Sequence, residues 1–124
     1  MSKARHRLAW TRGRRAEWLA AWWLRLKGYR ILARNYKVPS GEIDLIARRG
    51  RVLALVEVKA RADLATAGEA IGRRQRRRIT RAAETFLQRH AGLRGLDLRF
   101  DAILVAPGQR PHHIEDAWRL DDGV

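Results

Sequence analysis

The stretch GEIDLIARRGRVLALVEVKA, residues 41–60, constrains the fold more than any other part of this 124-residue chain. Two apolar runs, EIDLIA and VLALVEVKA, flank the tetrad RRGR, a pattern that predicts a β-hairpin. Yet Glu42, Asp44, Glu57 and Lys59 interrupt those runs. Charged residues are poor strand formers, and a carboxylate removed from water is costly unless donors or cations meet it. With Arg49–Gly50 as a two-residue loop, Glu42 opposes Glu57 and Asp44 opposes Leu55. Alternation then places Glu42, Asp44, Glu57 and Lys59 on one face, and Ile43, Leu45, Val52, Ala54, Val56 and Val58 on the other. Opposed like charges destabilise a sheet, so three acids beside one lysine need a counter-charge. Arginines could supply it in a salt-bridged sheet face. A divalent cation such as Mg²⁺ could supply it too, because it takes one or two carboxylates and keeps several waters.

The flanking segments define one domain with no repeat and no linker. TRGRRAEWLAAWWLRLKG (11–28) reads as a helix, with Trp18, Leu19, Trp22, Trp23 and Leu26 at helical spacing as core or an interface. Gly28 suits its end. YRILARNYKV (29–38) reads as a strand and PSG (39–41) as a turn. TAGE at Thr66–Glu69 matches a capping box, predicting a helix to about His90. Ile71, Ile79, Ala82, Ala83, Phe86 and Leu87 form its inner stripe; Arg73, Arg74, Arg76, Arg77, Arg78 and Arg81 line its outer face. LDLRFDAILVAP (96–107) reads as a fourth strand, and the segment after it has little pattern. The order helix, three strands, helix, strand implies an α/β layered domain with a mixed sheet. Residues 1–10 and 118–124 are expected to be mobile tails. Asp101 is expected to pair with an arginine, and His112–His113 to lie in a solvated turn.

The chain carries 27 Lys and Arg against 13 Asp and Glu, a formal net charge of +14. Such a field attracts polyanions, and clustering of arginines on one helix points to nucleic acid rather than to solubility alone. No basic helix has the clean apolar face that a membrane surface requires. The absence of cysteine excludes disulfides and thiolate metal sites. No apolar run is long enough to cross a bilayer, and the basic N-terminus lacks the apolar segment of a secretory signal. The expected compartment is the cytoplasm.

GEIDLIARRG, LVEVKAR and RFDAILV together resemble the bacterial YraN family, and the D…EVK spacing is similar to the nuclease motif of the PD-(D/E)xK superfamily. The resemblance covers roughly residues 12–117. It implies a restriction-endonuclease-like αβββαβ core with a mixed central sheet flanked by helices. It implies that Asp44 and Glu57 ligate Mg²⁺ or Mn²⁺ with help from the Val58 carbonyl. Lys59 would orient the attacking water or meet the phosphate, and Glu17 on the first helix would reach the metal through water. Gln75 matches a polar helix position of some superfamily nucleases. Glu42 joins the candidate ligands on hairpin geometry. The sequence departs from the pattern in having Ile43–Asp44 for the superfamily's PD, Leu55 where many relatives have an aromatic, and Arg74 where many have lysine. Two functions follow. One is a metal-dependent nuclease, acting on DNA in preference to RNA and selecting structure rather than sequence. The other is a nucleic-acid-binding module with an idle or partner-dependent site. A protein partner or a homodimer fits either.

On both readings Arg73, Arg74, Gln75, Arg77, Arg78 and Arg81 meet the nucleic acid. Duplex binding should weaken with salt at a log–log slope of about −0.9 per neutralised phosphate. Arg74→Glu with Arg77→Glu should flatten that slope in a fluorescence-anisotropy titration.

Overall fold

The computed structural model describes residues 2–61 and 71–119, with side chains from residue 13 onward. Helix α1 (Ser2–Leu26) precedes strands β1 (Arg30–Val38), β2 (Gly41–Arg49) and β3 (Val52–Ala60). Helix α2 (Arg73–Arg89) and a 3-10 turn (Ala91–Leu93) lead to β4 (Asp97–Val105) and β5 (His112–Trp118). The five strands form one sheet in chain order. β3 and β4 run parallel; all other neighbours are antiparallel. The expected αβββαβ order and mixed sheet are therefore present, extended by β5. The capping box at Thr66–Glu69 lies outside the described residues. Among the described residues no helix is long and apolar enough to cross a membrane.

Each face of the sheet carries one helix. On one side Ala16, Ala20, Ala21 and Leu24 of α1 pack with Leu45, Ala47, Ala54, Val56, Ile103 and Val105. On the other, Ile79, Ala82, Ala83 and Phe86 of α2 pack with Ile46, Leu53, Leu55, Phe100 and Leu104. Consecutive residues such as Leu53 and Ala54 belong to opposite clusters, as strand alternation requires. β2 and β3 are thus buried on both faces, which explains their near-continuous apolar character. Ile71 is buried just before α2, and Leu87 is partly buried at its far end, as the periodicity of this segment predicts.

Three expectations are corrected. Helix α1 begins at Ser2, well before residue 11. It meets the sheet through Ala16, Ala20, Ala21 and Leu24, so of the core-or-interface reading the core part fails: Trp18 is 51% exposed, Trp22 46% and Leu26 75%. Small residues let the helix backbone approach the sheet closely, and Trp18, Trp22 and Leu26 are turned outward. Second, the patternless segment after Pro107 forms β5, with Trp118 buried and stacked on Phe100 at 4.0 Å. Third, the hairpin loop is Gly50–Arg51 instead of Arg49–Gly50, since Arg49 pairs with Val52. Gly50 adopts φ +60, a left-handed conformation that glycine takes at no steric cost. The register slips by two residues, so side-chain parity survives, but Ile46 rather than Asp44 faces Leu55. Glu42 therefore does not oppose Glu57. The single apolar face also divides, because Ile43 belongs to the α2 cluster and Leu45 to the α1 cluster.

Two predicted boundaries are reproduced with their physical cause. Gly28, at φ +91, ends α1: its N–H bonds to the Arg25 carbonyl and that of Tyr29 to Leu24. This is the Schellman pattern that satisfies the last carbonyls of a helix. Val38 pairs with Gly41 across Pro39–Ser40, the turn read from PSG.

Gly41 has a second constraint. A Cβ built on it would lie 1.8 Å from the Arg78 carbonyl oxygen of α2. The first residue of the GEID motif is thus the place where the arginine-rich helix touches β2 backbone to backbone. Gly41→Ala should force α2 off the sheet and destabilise the protein by about 1–3 kcal/mol, the usual cost of overpacking. Denaturant unfolding at constant pH measures it.

Candidate active site

The β2–β3 ladder ends at the pair Leu45–Val56. One step further, where Asp44 and Glu57 stand, the strands have parted. Ile43 and Leu45 should share a face by alternation, yet they pack into opposite clusters. The strand therefore changes phase at Asp44. β1 changes with it. Arg34 pairs with Leu45 and Tyr36 with Ile43, so Asn35 stands across from Asp44, and Asn35 adopts φ +49. Left-handed backbone is uncommon for a side-chain-bearing residue, and asparagine is among the few that tolerate it. A joint irregularity in two neighbouring strands opens the gap.

Asp44 and Glu57 meet in that gap. The Val58 N–H donates to Asp44 Oδ2 at 2.8 Å. The carboxyl groups of Asp44 and Glu57 lie within hydrogen-bonding reach of each other. A hydrogen bond between two carboxyl groups needs a proton, and burial supplies the reason to keep one. Burial, then the charge of Asp44, pushes the Glu57 carboxyl up to about 8. Asp44 is also raised by burial, partly offset by the Val58 N–H and by the bond to Glu57. The pair titrates as a unit, and burial raises both members. The N–H and C=O of one strand residue project toward the same neighbour, so the Val58 carbonyl faces the same gap.

Helices close the site from both sides. From α2, Gln75 Nε2 donates to Glu57 Oε1 at 2.8 Å. From α1, Glu17 lies within Coulombic reach of Asp44, and burial raises its pKa against the hydrogen bond it receives from Asn35. Glu42 acts at longer range, raising the pKa of both Asp44 and Glu57 by its charge. Lys59 is half-buried on β3, two residues from Glu57 and so on the same side of that strand. The arginines divide: Arg73, Arg74, Arg77 and Arg81 are exposed, while Arg76 and Arg78 are half-buried. Arg76 donates to the Ile71 carbonyl and lies over Trp118.

The structure thus brings Asp44, Glu57, Val58 and Gln75 into contact, with Glu17, Glu42 and Lys59 around them. Among the described residues no three His, Cys, Asp or Glu side chains converge as a ready-formed metal cage. The donor set that does converge, two carboxylates and a backbone carbonyl, suits a hard cation that retains waters.

Asp101 and His113 belong elsewhere. Asp101 is fully buried and takes two hydrogen bonds of 2.8 Å from Arg99, one from His113 Nε2 and one from the Asp116 N–H. Burial alone would raise its pKa, but the bonds from His113 and Arg99 outweigh it and hold the carboxyl below its ordinary value. Arg99 also donates to the Tyr29 hydroxyl, and His113 Nδ1 bonds Lys27 Nζ at 2.7 Å. The arginine pairing expected for Asp101 is found. The solvated turn expected for His112–His113 is not: strand alternation leaves His112 exposed and turns His113 inward, where its side chain is 2% accessible.

Asn35 and Lys37 were not evident from sequence as site residues. The one available signal was an asparagine inside a strand, a residue type that favours irregular backbone.

The family model described as Uncharacterised protein family UPF0102 matches residues 16–105. The chain belongs to that family. Its UPF0102 relative from Parvibaculum lavamentivorans is 55% identical over 111 residues, covering 90% of this chain and 84% of the relative. The relative from Paramagnetospirillum magneticum is 53% identical, covering 94% and 93%. That from Maricaulis maris is 52% identical, covering 100% and 97%. The UPF0102 match takes in Glu17, the whole β2–β3 hairpin, α2 and Asp101, and it stops before β5.

The carboxyl pair has a measurable consequence. An acid whose pKa is higher folded than unfolded holds its proton more tightly in the folded state. Its contribution therefore falls as pH rises from the unfolded value to the folded one. For Glu57 that window runs from 4.5 to about 8. With chelator present, stability should drop across this window, and Glu57→Gln should remove that drop and exceed wild type at pH 8. Thermal melts over the pH series measure it.

Proposed function

We propose that this protein is a Mg²⁺- or Mn²⁺-dependent nuclease of the PD-(D/E)xK type that hydrolyses phosphodiester bonds in DNA, selecting structure rather than sequence. The observation that carries the reading is the Asp44–Glu57 pair. Two half-buried acids lie against each other beside a backbone carbonyl, and a cation there would offset the crowding that raises both carboxyls. A metal would be held by Asp44, Glu57 and the Val58 carbonyl, with Glu17 reached through water. When bound it would polarise the phosphate and lower the pKa of a water. Lys59 would stabilise the charge developing on the phosphate, as a compact ammonium on a thin stem can at close quarters. Gln75 would hold Glu57 in orientation. Arg73, Arg74, Arg77 and Arg81 would grip backbone phosphates, contacts that position a strand without reading its bases. A chain without cysteine suits the reducing cytoplasm.

One observation favours a second reading, a nucleic-acid-binding module whose site is idle until a partner completes it. Asp44, Glu57 and Glu17 do not converge as three ligands among the described residues. The two readings separate experimentally. Asp44→Asn, Glu57→Gln and Lys59→Ala should each abolish cleavage of flap, junction and single-stranded DNA in Mg²⁺ or Mn²⁺. The two acid variants should bind DNA as well as wild type or slightly better, since each removes repulsion with phosphate. Mg²⁺ should raise the melting temperature of wild type more than of the acid variants, following RT ln(1 + [L]/Kd). DNA binding without cleavage, together with no Mg²⁺ stabilisation, moves the assignment to the binding module.

A further inference from the structure

A cleft of about 410 Å³ opens between α1 and β1, lined by Gly13, Arg14, Glu17, Asn35 and Lys37. It adjoins the carboxylate gap through Glu17, which feels the charge of Asp44. Lys37 acts on both acids, lowering the pKa of Glu17 and of Asp44. Arg34 acts on Glu17 as well. The lining thus carries two cations, Arg14 and Lys37, and one carboxylate, Glu17, which it shares with the site.

The cleft is held by the same irregularity that opens the gap. Asn35, in its left-handed conformation, donates from Nδ2 to Glu17 Oε2 at 2.7 Å. Strained backbone of this kind persists only where its surroundings over-determine it. Here it draws the α1 carboxylate toward the β1 edge and leaves Arg14 and Lys37 flanking it. The floor is open on the helix side, since a Cβ added to Gly13 would meet no atom within 4 Å.

Cations are therefore present on both helices that reach the carboxylates, Arg14 with Lys37 of β1 at the α1 cleft and the exposed arginines of α2, the helix that brings Gln75 to Glu57. A ligand matching this arrangement carries regularly spaced negative charges on both sides of a central group, as a polynucleotide backbone does. We infer that the α1–β1 cleft, through Arg14, Asn35 and Lys37, binds the phosphate next to the one at the Asp44–Glu57 pair. A strand would then run from this cleft across the carboxylates to the arginines of α2. The inference rests on the nucleic-acid reading and extends it. Bound phosphates on both sides make the target an internal phosphodiester, hence endonucleolytic cleavage.

Equilibrium binding tests it without any need for cleavage. The probe is a fluorescein-labelled single-stranded oligothymidylate, titrated with the full chain in EDTA across a salt series. Each lost contact to a single strand should flatten the log–log slope by about 0.7. Arg14→Ala with Lys37→Ala should flatten it by about 1.4, twice that value, and weaken binding at every salt concentration. Gly13→Phe, which fills the cleft from an open position, should also weaken binding. Arg110→Ala, an exposed charge in the β4–β5 loop, should leave the slope unchanged. If the Arg14/Lys37 double variant and Gly13→Phe bind like wild type while Arg74→Glu with Arg77→Glu still flattens the slope, the cleft is no phosphate site and the nucleic-acid reading stands. If wild type fails to bind at low salt, both fall. If inorganic phosphate displaces the oligonucleotide at the same phosphate concentration, the cleft holds a small anion and the path proposed for the strand is wrong.

Discussion

The rest of the structure depends on a hairpin buried on both faces. Strands β2 and β3 lie between α1 and α2, and their interior positions are among the least accessible in the protein. Such a hairpin has no polar face on which to place acids. Asp44 and Glu57 are accommodated because the two strands part just past Leu45–Val56. The phase change at Asp44 and the left-handed Asn35 beside it are how the chain leaves a regular sheet without exposing its core. Gly41, three residues before Asp44, lets α2 come down on β2, and one turn earlier on that helix Gln75 reaches Glu57.

The molecule treats the fully buried Asp101 and the half-buried Asp44–Glu57 pair in contrasting ways. Asp101 is given a guanidinium, an imidazole and a backbone N–H, and its carboxyl is held ionised. Removing one partner from such a buried pair is strongly destabilising, about 3–5 kcal/mol, so this cluster reads as architecture tying β4 and β5 to the end of α1. Asp44 receives the Val58 N–H and Glu57 the Gln75 amide, and the two carboxyls also meet each other. Two carboxyls in contact cannot both ionise cheaply, and burial with the neighbouring charge pushes Glu57 up to about 8. A chain with 27 basic residues does not lack arginines to neutralise this pair. Acids with perturbed pKa values are common at functional sites.

Much of this was legible before the fold was known. The apolar runs around RRGR predict the hairpin, Gly28 the end of α1, and the spacing of Ile79, Ala82, Ala83 and Phe86 the buried face of α2. Each depends on periodicity or on a single residue's backbone preference. The outward turn of Trp18 and Trp22 was not legible, because a helix with alanines on one side and tryptophans on another carries two plausible packing faces. Hydrophobicity favours the larger one, while the space beneath α1 admits only the smaller. β5 was missed because HHIEDAW has no alternation strong enough to outweigh its charges; its place is set by Trp118 on Phe100 and His113 on Asp101.

The sequence by itself determined which residue types are brought near one another: the acids of β2 and β3, Lys59 two positions on, and the arginines of one helical face. These follow from local chemistry and the fixed periods of strand and helix. Only the tertiary structure decided how they meet. Alternation had placed Asp44 and Glu57 on one face of a regular hairpin; instead they join in a gap, one toward Glu17 of α1 and the other toward Gln75 of α2. That outcome requires a register two residues away from the simplest turn and a matched distortion in β1. The loop follows the left-handed backbone of Gly50, whereas the side chains that meet at the gap come from β1, β2, β3 and both helices, which no single segment of the chain encodes.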